Sequence, residues 1–206
     1  RDKGRIVFEE MARIGYDAIA PGNHDDAYGD PHLVEMAALM PDTAMLAINM
    51  LKPDGTLLFP ASRVFEREGI DIGVIGVFRP RDEHSLDLEE TAKRVAEEAS
   101  RLDETCELIV VVAHLGPANC NVLAKAAPNV DVFVSGHTHQ AIQEPMTARH
   151  SDALIVQAGC NAEYVGHLKL AVDSESEAIL SHDGWLVPMT HGEVPIDEAM
   201  QARIEA

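Results

Sequence analysis

The stretch Val-Val-Val-Ala-His-Leu-Gly at residues 110–116 changes abruptly from apolar to polar side chains. Its apolar part, residues 110–113, ends a nearly continuous apolar run over residues 108–113. Such a run is typical of a strand covered on both faces of a sheet. His114 follows the last apolar residue directly, so its side chain would be held on a rigid frame. The stretch therefore predicts an α/β sheet with functional side chains placed at its strand ends.

Two further segments have the same design, in which an apolar strand ends and polar side chains follow at once. The first is Ala-Pro-Gly-Asn-His-Asp at residues 20–25, and the second is Val-Phe-Val-Ser-Gly-His-Thr-His at residues 132–139. Strand ends of an α/β sheet open into a shared crevice, so we expect the polar groups of all three segments to converge there. The candidate metal ligands are Asn23, His114, His137 and His139.

Each segment alone also has an ordinary structural interpretation. A histidine such as His114 can be a hydrogen-bonded structural residue, and a Gly-Asn-His run can form a turn because Gly and Asn tolerate left-handed backbone. The His-x-His pair can lie in an exposed loop. Together, however, one amide oxygen and three imidazoles suit a divalent ion that accepts mixed nitrogen and oxygen ligands, such as Mn, Zn, Fe or Co. The combination predicts a metal site.

Hydrophobic periodicity and capping residues predict alternating helices and strands between these segments. Helices are predicted over residues 6–14, from Asp30 to about Met40, over 87–102 and 121–126, and from about Asp197. Strands are predicted over 16–20, 44–48, 63–68, 70–78, 108–113, 130–135, 154–158, 167–172 and 178–186, the last three as an antiparallel run. This pattern favours one domain over residues 1–206 of class α/β (α+β), with two packed mixed β-sheets flanked by helices.

The composition argues against two classes of protein. The chain has 35 acidic and 16 basic residues, which leaves a formal net charge of −19. Such a surface repels the phosphate backbone, so duplex nucleic acid is not an expected partner. No apolar stretch is long enough to predict a membrane span. The single tryptophan, Trp185, is expected to pack in the core.

Three motifs resemble the last three signature blocks of the calcineurin-like metallophosphoesterases. They are Gly-Asn-His-Asp at 22–25, His-Leu-Gly at 114–116 and Gly-His-Thr-His at 136–139. The segments at 15–18, 28–29 and 157–159 are similar to the 5′-nucleotidase and 2′,3′-cyclic-nucleotide phosphodiesterase branch. The resemblance implies a metallophosphoesterase-like sandwich that hydrolyses phosphate esters, with nucleotides as the leading substrate class.

The resemblance also implies a dinuclear centre of two divalent metal ions. Asn23, His114 and His137 would bind one ion, and His139 would bind the other. His24 would be the catalytic residue beside the scissile phosphate, either as proton donor or as stabiliser of developing charge. A metal-activated water would attack phosphorus. Relatives of this kind are often periplasmic or extracellular.

The chain departs from the family pattern in three places. It lacks the Asp-x-His and Gly-Asp blocks that open such domains, so we expect an N-terminally incomplete domain without its first strands. Ala27 stands where many nucleotidases have aspartate, and we expect these residues to contain no counterpart of the C-terminal domain of nucleotide-hydrolysing relatives. This stretch alone is therefore expected to be weakly active or inactive. Two alternatives remain open: a two-metal hydrolase of another ester, such as a thiosulfohydrolase, and a non-catalytic module that retains the fold.

Overall fold

The computed structural model describes residues 2–80, 87–173, 178–190, 192 and 194–205. The helices are α1 (Arg5–Ile14), α2 (Asp30–Ala37), α3 (Leu88–Leu102), α4 (Pro117–Ala126) and α5 (Glu198–Glu205), with a short 3₁₀ helix at Asp25–Tyr28. The strands are β1 (Ala18–Ile19), β2 (Ala44–Met45), β3 (Ser62–Arg67), β4 (Ile70–Val77), β5 (Leu108–Ala113), β6 (Val132–Ser135), β7 (Met146–Thr147), β8 (Leu154–Val156), β9 (Tyr164–Val172) and β10 (Ile179–Pro188). Among the helices of these residues, none combines the length and apolar character needed to cross a bilayer.

Six strands form one mixed sheet in the order β3-β4-β5-β6-β8-β7. Strands β4, β5, β6 and β8 are parallel neighbours, whereas β3 and β7 pair antiparallel at the two edges. The predicted α/β class with a mixed sheet is therefore confirmed. The predicted antiparallel run of the last three strands is wrong for β8, because the short strand β7 first reverses the chain and lets β8 enter parallel to β6.

One face of this sheet packs against α3 and α4 and forms the main core. Ile75, Val111, Phe133 and Ile155 lie side by side in register across β4, β5, β6 and β8, and all four are fully buried. Helix α3 begins where the sequence predicts, since the Asp87 carboxylate accepts a hydrogen bond of 2.9 Å from the backbone N–H of Glu90. This layer holds the parallel strands rigidly, which fixes the positions of their carboxyl ends.

The opposite face carries two separate two-stranded sheets. Strands β1 and β2 pair in parallel and cover the β4 side, where Leu46 packs with Val74. Strands β9 and β10 form an antiparallel hairpin over the β8 side, leaving an apolar cavity of about 230 Å³ lined by Val134, Val156 and Leu168. In the described residues the second layer is thus divided into two pieces, and Val134 on β6 remains 40% exposed.

Trp185 does not pack in the core, so that expectation is wrong. Its side chain is 41% exposed and stacks on His167, with the two ring centroids 4.1 Å apart. The two residues are direct partners on β10 and β9. A hairpin that is covered on one side keeps aromatic residues at the edge of the apolar layer, where stacking shields part of the indole ring from water.

The first and last helices are joined by an ion pair. Glu10 on α1 is buried, and its carboxylate accepts two hydrogen bonds of 2.7 Å from the Arg203 guanidinium on α5. The hydrogen bonds from Arg203 hold the pKa of Glu10 below its usual value. Helix α1 ends at Ile14, and the residue that caps it is Gly15, which has a φ of 83° and is the residue predicted to stop the helix.

Candidate metal centre

The candidate site lies at the carboxyl ends of the parallel strands. Strands β5 and β6 end one residue before His114 and Gly136, respectively. The backbone N–H of His114 donates to the carbonyl of Val77 at 3.0 Å, and that of Gly136 donates to the carbonyl of Ala113 at 3.0 Å. The ladder of hydrogen bonds therefore continues one step past the strands, and it fixes the backbone that carries the histidines.

Asn23 reaches His114 from the other layer of the fold. Strand β1 ends at Ile19, and the loop that follows brings Asn23 across to the end of β5. The Oδ1 atom of Asn23 lies 3.0 Å from the Nε2 atom of His114. The convergence of these two side chains, 91 residues apart in the chain, is what the strand-end pattern of the sequence predicts.

Two glycines make room for the imidazole ring of His114. A Cβ atom at Gly22 would lie 2.9 Å from the Nε2 atom of that ring, and a Cβ atom at Gly136 would lie 3.0 Å from its Nδ1 atom. The ring is thus held between two glycine backbone segments that approach it too closely for a side chain to fit without a shift. Sequence reasoning explained Gly22 by the backbone freedom of a turn, whereas the structure explains it by the close approach of His114.

The surroundings of His114 keep its imidazole neutral. Burial, followed by the nearby charges of His137 and Arg79, lowers the pKa of His114 to about 4. A neutral imidazole has a free lone pair, which metal coordination requires. At pH 7 this residue therefore needs no deprotonation before it can act as a ligand.

His137 and His139 stand on a strained loop after β6. The ring of His137 lies edge-on to that of His114, with centroids 5.3 Å apart and planes at 71°. The φ angles of His137 and His139 are 78° and 59°, in the left-handed region that non-glycine residues rarely adopt. Strain of this kind is typical of functional sites where the surrounding structure holds the backbone in place.

Gln157 supplies part of that support from the end of β8. Its side chain is only 3% exposed, and the Thr138 hydroxyl lies 3.1 Å from its amide oxygen. When the amide is oriented so that both its oxygen and its nitrogen form hydrogen bonds, the oxygen accepts from the backbone N–H groups of His139 at 3.0 Å and Gln140 at 2.7 Å. A buried amide therefore fixes the loop between the two histidines.

His24 is exposed at the start of the 3₁₀ helix that follows Asn23. The neighbouring Asp25 carboxylate turns back and accepts a hydrogen bond of 2.7 Å from the backbone N–H of Gly22, so it stabilises the loop. Burial raises the pKa of Asp25. Ala27 carries no polar group, so it cannot orient the His24 ring in the way that an aspartate would.

The donor atoms of Asn23 and His114 fit a shared metal ion. Two neighbouring ligands of an octahedral ion such as Mn²⁺, each about 2.1 Å from it at an angle near 90°, have donor atoms about 3.0 Å apart. The observed separation of Oδ1 and Nε2 is 3.0 Å. No cluster of three His, Cys, Asp or Glu side chains poised to hold a metal occurs in the part of the chain that the structure describes. Of the candidate ligands, the structure brings the side chains of Asn23 and His114 into contact, and the His137 ring lies beside that of His114.

Sequence reasoning missed Arg79, which the fold places at the same edge of the sheet. Arg79 lies two residues past the end of β4 and is 9% exposed, and its charge is among the causes that lower the pKa of His114. Its position after the apolar strand β4 repeats the strand-end pattern of the histidine segments. That pattern was the available signal, but an isolated arginine does not stand out in a sequence.

Three known proteins illustrate what this chain is similar to. The 5′-nucleotidase of Mus musculus is 24% identical over 231 residues, which covers 98% of this chain and 40% of the mouse protein. The solved 5′-nucleotidase precursor of Thermus thermophilus has a TM-score of 0.81 at 24% identity and covers 100% of this chain and 45% of that one. The sulfate thiohydrolase SoxB of the same organism, in complex with glycerol, has a TM-score of 0.83 at 20% identity, covering 98% and 38%.

At these identities the two structural matches show the fold alone. The chain spans 40% of the length of the mouse protein, so the activity of a whole relative does not transfer directly. The family model for calcineurin-like phosphoesterases matches residues 4–141, which include Asn23, His24 and all three candidate histidine ligands. More than half of the chain is matched, and the chain therefore belongs to the calcineurin-like phosphoesterase family.

Proposed function

We propose that this chain contributes to metal-dependent hydrolysis of phosphate esters, with nucleotides as the leading substrate class. The observation that carries the proposal is the 3.0 Å approach of Asn23 Oδ1 to His114 Nε2 at the carboxyl ends of the parallel strands. Two side chains from different layers are held there in a geometry that suits one divalent ion. The 5′-nucleotidase relatives and family membership support phosphoester hydrolysis as the reaction class.

Each residue of the site has a proposed part in the reaction. Asn23, His114 and His137 would hold one divalent ion, and His139 would hold a second. Bound ions of this kind polarise phosphoryl oxygens and lower the pKa of a coordinated water. Gly22 and Gly136 keep the His114 ring in place, and the buried amide of Gln157 fixes the loop that carries the other two histidines.

His24 is the proposed proton donor to the leaving group. It is exposed and directly follows Asn23, and the proposal requires its imidazole to face a substrate bound at the metal centre. The alkoxide that leaves a nucleotide is a strong base and gains from protonation as the P–O bond breaks. The p-nitrophenolate ion is a weak base and leaves without being protonated. Loss of a proton donor should therefore slow nucleotide hydrolysis more than p-nitrophenyl phosphate hydrolysis, whereas loss of a structural residue should slow both equally.

The test is hydrolysis by the protein at its natural length, supplied with Mn²⁺ or Zn²⁺. Substrates are nucleoside monophosphates, 2′,3′-cyclic nucleotides and p-nitrophenyl phosphate. We expect His24→Ala to lower kcat for nucleotides by roughly 100-fold, and kcat for p-nitrophenyl phosphate much less. The matched control is His150→Ala, an exposed histidine in the turn between β7 and β8, and we expect it to leave both rates unchanged.

Two outcomes would contradict the proposal. One is no hydrolysis of any phosphate ester with any of the supplied metals, accompanied by cleavage of a thiosulfate ester, which would favour the thiosulfohydrolase alternative. The other is equal rate losses for nucleotides and p-nitrophenyl phosphate in the His24→Ala variant, which would remove His24 as proton donor.

A further inference from the structure

The buried arginine at the end of β4 is held at the same edge of the sheet as the candidate metal ligands. Strands β4 and β5 are parallel, and Val77 lies opposite Ala113 in their register. The backbone N–H of His114 donates to the carbonyl of Val77, so the chain that carries Arg79 leaves the sheet directly beside His114. The register of these adjacent parallel strands thus places the backbone at Arg79 close to that at His114.

Both backbone polar groups of Phe78, the residue before Arg79, are hydrogen-bonded to one side chain. The side-chain amide of Asn49 donates to the carbonyl of Phe78 at 2.9 Å, and its oxygen accepts from the N–H of Phe78 at 2.9 Å. The same amide also donates to the Thr91 hydroxyl on α3 at 3.4 Å. These three contacts leave the segment little freedom, so the position of Arg79 is set before any substrate binds.

The burial and charge of Arg79 distinguish it from a surface arginine. Only 9% of its surface is exposed, and its guanidinium carries a positive charge. The chain as a whole carries a formal net charge of −19, which repels anionic substrates. A fixed local cation at the strand ends opposes that repulsion where the phosphate would lie.

We propose that Arg79 is a substrate-binding residue that contacts the phosphoryl oxygens and favours dianionic phosphate monoesters over monoanionic diesters. The inference rests on the proposed phosphoesterase function. The planar guanidinium matches two phosphoryl oxygens at once and gains more from two negative charges than from one. At neutral pH a phosphate monoester carries close to two negative charges, whereas a diester carries one. Arg79 thus assigns the site to monoesters, the class to which nucleoside monophosphates belong.

The experiment compares Arg79→Met and Arg79→Lys in the metal-loaded protein at its natural length. We expect Arg79→Met to lower kcat/KM for p-nitrophenyl phosphate roughly 100-fold and for bis(p-nitrophenyl) phosphate about tenfold or less. Arg79→Lys should recover part of the monoester activity, because it keeps the charge but loses the two-pronged geometry. Calorimetric titration with inorganic phosphate should show a matching loss of affinity in Arg79→Met.

The matched control is Arg149→Met. Arg149 is exposed in the turn that precedes β8, at the opposite end of the parallel strands, and its substitution removes the same charge from the molecule. Equal losses for monoester and diester, or phosphate affinity unchanged in Arg79→Met, would overturn the proposal. If Arg79→Met does not fold, Arg79→Lys is compared with the unsubstituted protein instead. The proposal then requires a larger loss of kcat/KM for the monoester than for the diester. If the unsubstituted protein hydrolyses neither ester, the proposed function fails, and the phosphate titration still decides the role of Arg79.

Discussion

Replacing His114 by alanine is expected to lower metal affinity and phosphatase activity by roughly 100-fold or more. His114 is the residue at which several features of the site meet. Its Nε2 atom lies 3.0 Å from Asn23 Oδ1, its ring is held between Gly22 and Gly136, and its pKa of about 4 keeps it neutral. Alanine removes a ligand atom and leaves the amide of Asn23 without its partner. Titration with Mn²⁺, followed calorimetrically, measures the affinity.

Two controls distinguish the loss of a metal ligand in His114→Ala from the loss of the fold. His150→Ala removes a histidine from the opposite end of the sheet and should bind Mn²⁺ as the unsubstituted protein does. Circular dichroism of His114→Ala should match that of the unsubstituted protein, because the substitution creates space and does not force atoms together. A His114→Ala variant that keeps full Mn²⁺ affinity would show that the metal centre lies elsewhere.

Replacing Gly76 by alanine is expected to destabilise the fold by about 3 kcal/mol or more, or to prevent folding. A Cβ atom at Gly76 would lie 2.1 Å from the backbone oxygen of Leu46, far inside van der Waals contact. Both segments are fixed, because Ile48 donates to the carbonyl of Gly76 at 2.9 Å and Leu46 donates to the carbonyl of Ile19 at 2.9 Å. The methyl group would push apart the two layers that bring Asn23 to His114. Urea unfolding measures the loss.

Gly73 provides the matched control on the same strand. A Cβ atom there would point to the opposite face of the sheet, 3.0 Å from Cδ1 and 3.2 Å from Cβ of Leu102, and its nearest neighbours are side-chain atoms and not backbone. Leu102 can shift by a few tenths of an ångström, so Gly73→Ala should cost less than Gly76→Ala. A Gly76→Ala protein within about 0.5 kcal/mol of the unsubstituted one would refute the close packing of the two layers.

Local sequence signals predicted most helix and strand identities. The Asp87 cap of α3, the stop of α1 at Gly15 and the hairpin turn at Gly69 all depend on neighbouring residues, so the sequence carries them directly. Helix α4 begins earlier than predicted, at Pro117, because Gly116-Pro117 is itself a helix start that the apolar pattern did not reveal. Strand β7 has only two residues and leaves no periodic signal.

Long-range features could not be derived from local patterns. The parallel entry of β8 depends on the reversal at β7, and the exposure of Trp185 depends on how the β9–β10 hairpin sits on the sheet. The approach of Asn23 to His114 was predictable because each residue follows an apolar strand within its own segment. Arg79 was missed because only the pairing of β4 with β5 shows that it lies beside His114. The roles of Gly22 and Gly136 likewise depend on contacts between segments far apart in the chain.

The most direct measurement is the anomalous scattering of manganese in crystals of the protein at its natural length soaked in Mn²⁺. The side chains of Asn23 and His114 should then share one ion, with Oδ1 and Nε2 each about 2.1–2.2 Å from the anomalous peak. A peak in that place would establish that the strand ends form a metal centre. Well-ordered manganese bound elsewhere, with Asn23 and His114 still hydrogen-bonded to each other, would contradict it.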